Sequence, residues 1–312
     1  MGKSNLVMFA ETLTELAIND KDILVVTSDS RGSGKLNSFG ETFPEQIVEV
    51  GIAEQNLVGM AAGLASAGKK VFAISPASFL TARSLEQIKN DICYSDNPVT
   101  LIGISAGVSY GALGSTHHSL HDIAVFRAIH NIAIISPADN FETQEAIKAA
   151  ASMQSPVYIR FGKKPMPDLY RNGAQFIPGK ANIIRDGNDI AFIANGETVR
   201  EAVLAAELLG ERGIGCRVIS MHTVKPLDID AILDAAGSCR AIVTVEEHSV
   251  NGGLGEAVAG VLAQSGIGLP FRIVGIPDEY TVTGSQVEIF GHYGITSEGL
   301  ERTALELIDQ NL

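Results

Sequence analysis

The residue best placed for chemistry is Glu54, an acid at the join between an apolar run and a helix of small residues. Residues 48–50 have the pattern of a short strand, and within residues 56–65 the apolar and small side chains recur at helical spacing. A carboxylate at this join is either a solvated acid of the first helical turn, which the helix dipole favours, or a buried acid held for proton transfer. Residue statistics favour the solvated acid, so the other candidates must decide between the two.

A second cluster of candidates is the segment 111–122, which holds three of the seven histidines. His117 and His121 are four residues apart, a spacing that can place two metal ligands on one face of a helix. No third ligand stands at a matching spacing, so contact with a substrate or phosphate group is favoured over zinc. Histidines that are simply exposed in a loop are the alternative.

Two further candidates follow predicted strands. The polar, glycine-rich loop 27–35, with Asp29 and Ser33, comes directly after the first apolar strand pattern, and an ordinary turn is its alternative interpretation. Arg160 ends a later strand, and its fork-shaped guanidinium suits a phosphate or carboxylate group. The alternative for Arg160 is an arginine paired with a nearby acid.

These candidates are positioned by alternating strands and helices. Continuous runs rich in Val and Ile predict strands that are buried on both faces of a parallel sheet. The predicted strands are 23–26, 71–75, 100–105, 132–136, 157–161, 190–194, 216–221, 241–245 and 272–275. The predicted fold class is α/β, with two doubly wound domains, each a mainly parallel sheet flanked by helices. Ligands bind outside the carboxyl ends of such strands, where the candidate loops stand.

Residues 162–187 break this rhythm with short apolar runs and several prolines, so we place the connection between domains there. The predicted organisation is a first domain over 1–163, a linker over 164–188 and a second domain over 189–312. In the second half, residues 246–257 approach the glycine pattern of a dinucleotide-binding turn. The third glycine of that pattern is replaced by Val258, so this match is weak.

Composition narrows the functional classes. The 312 residues carry a net charge of −13, which disfavours nucleic acid and anionic membrane surfaces as partners. The 3 cysteines are scattered and form no CxxC pair, which excludes a disulfide framework and a cysteine zinc site and suits a reducing compartment. The N-terminus lacks the apolar core of a signal peptide, and no run reaches transmembrane length, so we expect a cytoplasmic protein.

Taken together, the motifs resemble the pyrimidine-binding and C-terminal domains of transketolases, and those of deoxyxylulose-phosphate synthase. The resemblance runs in collinear order over nearly the whole chain, which makes it far more specific than any single motif. It is carried by residues 43–55 with Gly-Ile-Ala-Glu-Gln at 51–55, Gly-Ser-Thr-His-His at 114–118, Ser-Pro-Ala-Asp at 136–139, Lys-Pro-Leu-Asp at 225–228, and residues 290–299.

The resemblance implies thiamine diphosphate as the cofactor, with Glu54 as the catalytic acid that hydrogen-bonds its aminopyrimidine ring. It also implies that Phe79 stacks on that ring and that Ile52 belongs to the same cofactor-binding set. Asp29 is implied to approach the thiazolium ring. The cofactor then serves as the electron sink for cleavage of a C–C bond.

The implied activity is the transfer of a two-carbon ketol unit from a ketose to an aldose. His117 is implied to act in catalysis, and Ser33, His117 and Arg160 to bind the hydroxyls or terminal anion of the substrate. Leu113 replaces the aspartate that many transketolases have before this histidine motif, and Ser105 replaces the first residue of a His-Asp pair. The donor is therefore open between a ketose phosphate, a branched or deoxy sugar phosphate and a sulfonated sugar.

The family binds the diphosphate through Mg²⁺ on a Gly-Asp-Gly segment of a preceding domain, and this chain contains no Gly-Asp-Gly. The resemblance thus implies the C-terminal subunit of a split transketolase. An N-terminal partner subunit would supply the diphosphate and Mg²⁺ ligands, and this chain would supply no metal ligand. We expect two copies of each subunit, an α2β2 assembly.

Three alternatives stay open on the sequence alone. The β subunit of a 2-oxoacid dehydrogenase decarboxylating component shares both domains, although His117 and Arg160 favour a sugar. A non-catalytic subunit would leave Glu54 as an ordinary acid of the first helical turn. A nucleotide-binding oxidoreductase that uses the turn at 252–255 is the least favoured.

Overall fold

The computed structural model of the protein describes residues 2–170 and 174–309, and it contains two mainly parallel sheets flanked by helices. This confirms the predicted fold class. The limits predicted at residues 1 and 312 lie outside the described residues. The strands of the first half are β1 (Ile23–Thr27), β2 (Ile47–Glu49), β3 (Lys70–Pro76), β4 (Val99–Ile104), β5 (Ala133–Ile135) and β6 (Val157–Arg160). Those of the second half are β7 (Asn182–Arg185), β8 (Ile190–Ala194), β9 (Cys216–Ser220), β10 (Thr223–Lys225), β11 (Ala241–Ser249) and β12 (Phe271–Ile276).

The helices precede, connect and follow these strands. In the first half they are α1 (Asn5–Asn19), α2 (Asn37–Thr42), α3 (Glu54–Ser66), α4 (Ala77–Arg83), α5 (Leu85–Gln87), α6 (Asp122–Ala128) and α7 (Asn140–Ala150), with a π-helical stretch at Ile88–Tyr94 after α5. In the second half they are α8 (Thr198–Glu211), α9 (Ile229–Ser238), α10 (Leu254–Gln264), α11 (Gln286–Tyr293) and α12 (Ser297–Asp309). Short 3₁₀ turns occur at Pro44–Gln46 and Gly111–Leu113.

The strand order of the first sheet is β10-β5-β6-β4-β3-β1-β2, and that of the second is β12-β11-β8-β9-β7. The first sheet is parallel except for β10, and the second is parallel except for β7. In the first sheet the chain runs from β1 to β2 on one side and then to β3 on the other. The carboxyl ends of β1 and β3 therefore flank a topological switch point, the usual place for a ligand.

Two strands lie where the sequence pattern did not place them. Strand β7 lies inside the stretch predicted as linker and pairs antiparallel with β9 at the edge of the second sheet. Strand β10 comes from the second half of the chain but pairs antiparallel with β5 of the first sheet. Both strands are only three or four residues long, too short to produce a periodic signal.

The strands of the first sheet are buried on both faces, as their continuous apolar runs predict. Val25 and Phe72 face a core that contains Phe9 of α1, whereas their neighbours Val26 and Ala73 face a core that contains Leu57 of α3. Helix α7 begins after Asp139, whose carboxylate caps it by accepting a hydrogen bond from the Glu142 backbone N–H at 2.8 Å.

Candidate active site

The switch point of the first sheet carries several of the residues singled out in the sequence. The hydroxyl groups of Ser28 and Ser75 are 2.8 Å apart and join the carboxyl ends of β1 and β3. Asp29 follows Ser28 in the left-handed region, at φ +51°, and is exposed. The Ser33 hydroxyl, which is also exposed, donates to the carbonyl oxygen of Ser30 within the same loop.

One carboxylate holds this loop to the next one. A single oxygen of Glu49, at the end of β2, accepts hydrogen bonds from the backbone N–H of Asp29 at 2.7 Å and of Gly51 at 2.8 Å. Gly51 has φ +72°, a conformation that glycine adopts without strain. This turn leaves the side chain of Ile52 73% exposed and leads directly into Glu54.

Glu54 begins α3, and its side chain is only 5% exposed. Of the two interpretations open from the sequence, burial of the acid is therefore confirmed. The carboxylate pairs with Arg83, whose Nη1 lies 2.9 Å from one oxygen and 3.1 Å from the other. This pair borders an open pocket of about 520 Å³, which is lined by Ile52, Ala53, Glu54, Gln55, Asn56 and Arg83.

Aromatic side chains continue from this ion pair. The Arg83 guanidinium lies over the ring of Phe79, 4.4 Å from its centroid, and the Phe79 ring meets the His117 ring edge-on at 5.3 Å. His117 in turn meets Tyr110 at 5.4 Å, and Lys163 Nζ lies over the Tyr110 ring at 4.7 Å. The structure thus connects Glu54, Phe79 and His117 through Arg83, which the sequence analysis did not identify.

The loop that carries His117 is held by the second half of the chain. The His118 ring is buried. Its Nδ1 is 2.6 Å from the Thr281 hydroxyl oxygen, and its Nε2 is 2.9 Å from the Gly111 carbonyl oxygen. The Thr281 hydroxyl is also 3.0 Å from that of Ser115. The position of His117 therefore depends on residues far away in sequence.

Arg160 does not join the other predicted residues. It is 6% exposed, and its Nε donates to the Asp122 carboxylate at 2.8 Å. Its Nη2 donates to the carbonyl oxygens of Ser119 and Glu247. The alternative that the sequence left open, pairing with a nearby acid, describes this side chain. Its part in substrate binding stays a prediction that these contacts do not support.

The Asp122–Arg160 pair lies at a junction between the two halves. Burial alone would raise the pKa of Asp122, but the charges of Arg160 and His248, together with the hydrogen bonds from Tyr158 and Arg160, outweigh burial and lower it. The opposite holds for Glu247, where burial raises the pKa to about 8. One Glu247 oxygen accepts from the Val108 backbone N–H and from Gln286 Nε2.

The near match to a dinucleotide-binding turn also has a structural explanation. The Glu246 carboxylate accepts hydrogen bonds from the backbone N–H groups of Leu254 and Gly255 at 2.7 and 2.8 Å. It therefore occupies the N-terminus of α10, where the phosphates of a dinucleotide would have to bind. Burial raises the pKa of Glu246 to about 7. This geometry disfavours the oxidoreductase alternative.

The residues that the sequence analysis missed differ in how they could have been found. Arg83 stands four residues after Phe79, so both lie on one face of α4, a spacing that sequence alone offers. Tyr110 and Lys163 come from distant loops, and no sequence spacing connects them. Within residues 2–170 and 174–309, no group of three or more His, Cys, Asp and Glu side chains is placed to hold a metal ion. No helix in that part of the chain is long and apolar enough to cross a membrane.

Comparisons with known proteins agree with this geometry. Residues 4–167 match the sequence profile of the transketolase pyrimidine-binding domain, and residues 179–300 match that of the transketolase C-terminal domain. The chain is 50% identical over 301 residues to an apulose-4-phosphate transketolase subunit from Phocaeicola vulgatus, with 96% of each chain covered. It is 33% identical over 302 residues to a subunit of 6-deoxy-6-sulfo-D-fructose transketolase from a Clostridium species, covering 97% of this chain and 94% of that one.

A solved structure supports the same assignment. A split-gene transketolase, described as an inactive β4 tetramer, superposes with a TM-score of 0.89 at 34% identity, and 99% of each chain is covered. The two matched domains, the switch-point geometry and the similarity along the full chain lead to one conclusion: this chain belongs to the transketolase family, with the pyrimidine-binding domain followed by the C-terminal domain.

Proposed function

We propose that this chain is the C-terminal subunit of a thiamine diphosphate-dependent split transketolase, which moves a two-carbon ketol unit from an anionic ketose to an aldose. The observation that carries the proposal is the buried carboxylate of Glu54 at an open pocket, with Arg83 connecting it to the Phe79 ring. It is supported by the full-length similarity to subunits of two transketolases that are named for anionic ketoses.

The residues of the pocket, together with the Phe79 ring under Arg83, fit half of the cofactor. Glu54 offers a shielded carboxylate that can share a proton with a ring nitrogen, and Phe79 and Ile52 offer apolar surface for a flat ring. Glu54, Phe79 and Ile52 would hold the aminopyrimidine ring, and Asp29 would face the thiazolium ring. When bound, the cofactor supplies the electron sink for C–C cleavage.

Glu54 is the residue that we assign to proton chemistry in this chain. Its burial keeps competing water away from the carboxylate, and its position at the first turn of α3 fixes its direction. The Mg²⁺ ion and the ligands for the diphosphate would come from a partner subunit, in an α2β2 assembly. A triply charged diphosphate needs a divalent cation and oxygen ligands, and the proposed site of this chain offers only the ring-binding part.

The substrate would enter beside His117. Its ring is half-buried between Phe79 and Tyr110, and Lys163 places a cation at the exposed end of that row. We assign contact with the hydroxyls of the ketose to Ser33 and His117, and contact with its terminal anion to His117 and Lys163. We leave Arg160 out of this set because its guanidinium is directed at Asp122 and two carbonyl oxygens.

The test is reconstitution with a partner polypeptide that carries the Gly-Asp-Gly segment. With thiamine diphosphate and Mg²⁺, the complex should transfer ketol units from a phosphorylated or sulfonated ketose, and this chain alone should not. Turnover of pyruvate or a branched oxo acid in place of ketoses would instead identify a 2-oxoacid dehydrogenase subunit. Full turnover by the isolated chain would contradict the split site.

The anion contact has its own test. Lys163→Gln should raise KM for the anionic donor about 3- to 10-fold, as expected for the loss of one charged hydrogen bond, and should leave KM for an uncharged ketose unchanged. Lys89→Gln, an exposed lysine in the π-helical stretch, is the matched control. An equal rise in KM for both ketoses would show that Lys163 does not read the anion.

A further inference from the structure

The two oxygens of the Glu54 carboxylate are both engaged by one nitrogen. Arg83 Nη1 lies 2.9 and 3.1 Å from them, and no other hydrogen-bond or ion-pair partner of this carboxylate occurs among residues 2–170 and 174–309. Arg83 is therefore the one group among these residues that neutralises the carboxylate, and it lies across both of its oxygens.

Arg83 also contacts the second residue of the proposed ring site. Its guanidinium lies 4.4 Å from the centroid of the Phe79 ring, because the two residues are one turn apart on α4. One side chain thus covers both the carboxylate and the aromatic surface that would receive the aminopyrimidine. No other cation in the described chain contacts either Glu54 or Phe79.

The exposure of the two partners suggests why this contact can be broken. Glu54 is 5% exposed, so its carboxylate would lose most of its hydration with no partner to replace it. Arg83 is 50% exposed, so its guanidinium can return to water at little cost. Arg83 can therefore leave the ion pair more easily than Glu54 can, so Arg83 is suited to be a temporary partner of this carboxylate.

We propose that Arg83 is a placeholder for the aminopyrimidine ring: it neutralises Glu54 in the subunit without cofactor and withdraws when the ring binds. This inference rests on the proposed function, since it assumes that thiamine diphosphate binds at Glu54. Arg83 is thus a positioning residue, and it opposes cofactor binding while it stabilises the free chain.

The two effects have opposite signs, and the substitution Arg83→Gln separates them. In the reconstituted complex, calorimetric titration should show thiamine diphosphate binding about two- to fivefold tighter than in the wild type, because no ion pair has to be broken. In the isolated chain, the same substitution should lower Tm by about 1–3 °C.

The controls isolate the charge and the site. Arg83→Lys keeps a cation and should stay close to wild type in both measurements. Arg212→Gln removes a comparable arginine, 59% exposed and paired with Glu301, away from the pocket. It should lower Tm by a similar amount and leave the cofactor Kd unchanged. In the isolated chain, Glu54→Gln should abolish the effect of Arg83→Gln on Tm, because the two residues act as a pair.

Two results would overturn the inference. Weaker cofactor binding by the Arg83→Gln complex would mean that Arg83 supports the bound cofactor, and an unchanged Kd would mean that it does not compete. Failure of the proposed function has a different signature: the wild-type complex would bind no thiamine diphosphate, whatever residue stands at position 83.

Discussion

The carboxyl edges of the two sheets belong to the same architecture but have different surroundings. In the first sheet, the loops that follow β1 and β2 are open to solvent: Asp29 and Ile52 are exposed, and Ile52 lines an open pocket with Glu54. In the second sheet, the ends of β8, β9 and β11 face the first domain. There Ser220 donates to Glu142, and Glu247 accepts from Val108.

The difference shows that the end of a parallel strand is only a potential site. The second domain uses this end for docking, and its polar groups are engaged in hydrogen bonds to the first domain. The first sheet is divided by the same contact. Strands β4, β5 and β6 end against the second domain, which explains why Arg160 at the end of β6 is directed inward. Four experiments test this division between an open and a closed edge.

The largest effect is expected at the open edge. Glu54→Gln in the reconstituted complex should lower kcat/KM by about 10²- to 10⁴-fold, the usual worth of a positioned acid or base. The free energy of unfolding of the isolated chain should change little, because the partner of Glu54 is half-exposed. Steady-state kinetics and urea titration measure the two effects. Glu45→Gln, an exposed acid in the same half, is the control. Wild-type turnover by Glu54→Gln would remove Glu54 from the mechanism.

The closed edge should respond in stability. Asp122→Asn removes the carboxylate that accepts from Arg160 Nε at 2.8 Å and from the Tyr158 hydroxyl at 2.6 Å. It leaves a buried guanidinium without its counter-charge, which should cost about 3–5 kcal/mol of unfolding free energy in urea titration. Asp230→Asn, whose side chain is 87% exposed, should cost less than about 1 kcal/mol. Equal costs for the two variants would show that the junction does not stabilise the fold.

The pH dependence of stability tests the buried acid Glu247 at the closed edge. The pKa of Glu247 is raised by burial to about 8 in the folded chain, so the folded state holds a proton that the unfolded state releases near its ordinary pKa of 4.5. Stability from this group is present below pH 4.5 and is lost as pH rises toward 8. Relative to Glu247→Gln, the wild type should lose up to about 1.4 kcal/mol per pH unit in this window.

Urea titrations of both proteins from pH 5 to pH 8 measure this difference. Glu207→Gln on the exposed face of α8 should track the wild type at every pH. A constant gap between the wild type and Glu247→Gln would mean that Glu247 is ionised throughout the range.

The smallest effect is expected where Thr281 of the second domain holds the loop that carries His117. Thr281→Val removes the hydroxyl that contacts His118 and Ser115 and so loosens the loop of His117. One or two hydrogen bonds of this kind correspond to a rise of about 3- to 10-fold in the KM of the ketose, with kcat largely kept. Thr283→Val, an exposed threonine in the same loop, should leave KM unchanged. A loss of kcat with unchanged KM would mean that His118 serves catalysis instead of position.

The sequence was sufficient for the fold and for part of the site. The buried strands were found because runs such as 190–194 are apolar on both faces, a pattern that survives without tertiary information. The burial of Glu54 could not be decided locally, because an acid at a helix start has the same sequence signal whether solvated or enclosed. The family resemblance, not the spacing, favoured its role in chemistry.

The inward direction of Arg160 was beyond sequence reasoning for a physical reason. Its partners Asp122 and Glu247 lie 38 and 87 residues away in sequence, and only tertiary folding, which for Glu247 includes the docking of the two domains, brings them together. The same holds for Lys163 over Tyr110 and for the short strand β10. Arg83, in contrast, stands at helical spacing from Phe79 and could have been inferred once α4 was recognised.

Strand β10 has a consequence for protein engineering. Strand β10 (Thr223–Lys225) completes the first sheet by pairing with β5. The two domains therefore cannot be exchanged as independent units. Consider a chimera that takes its first domain from one parent and its second domain from another. A joint between the two matched domains would replace β10, a strand of the first sheet, together with the second domain. The new second domain would then have to pair its β10 with the β5 of the other parent and also fit the surface of the first domain. Successful recombinants should therefore retain residues 223–225 from the parent that contributes β5.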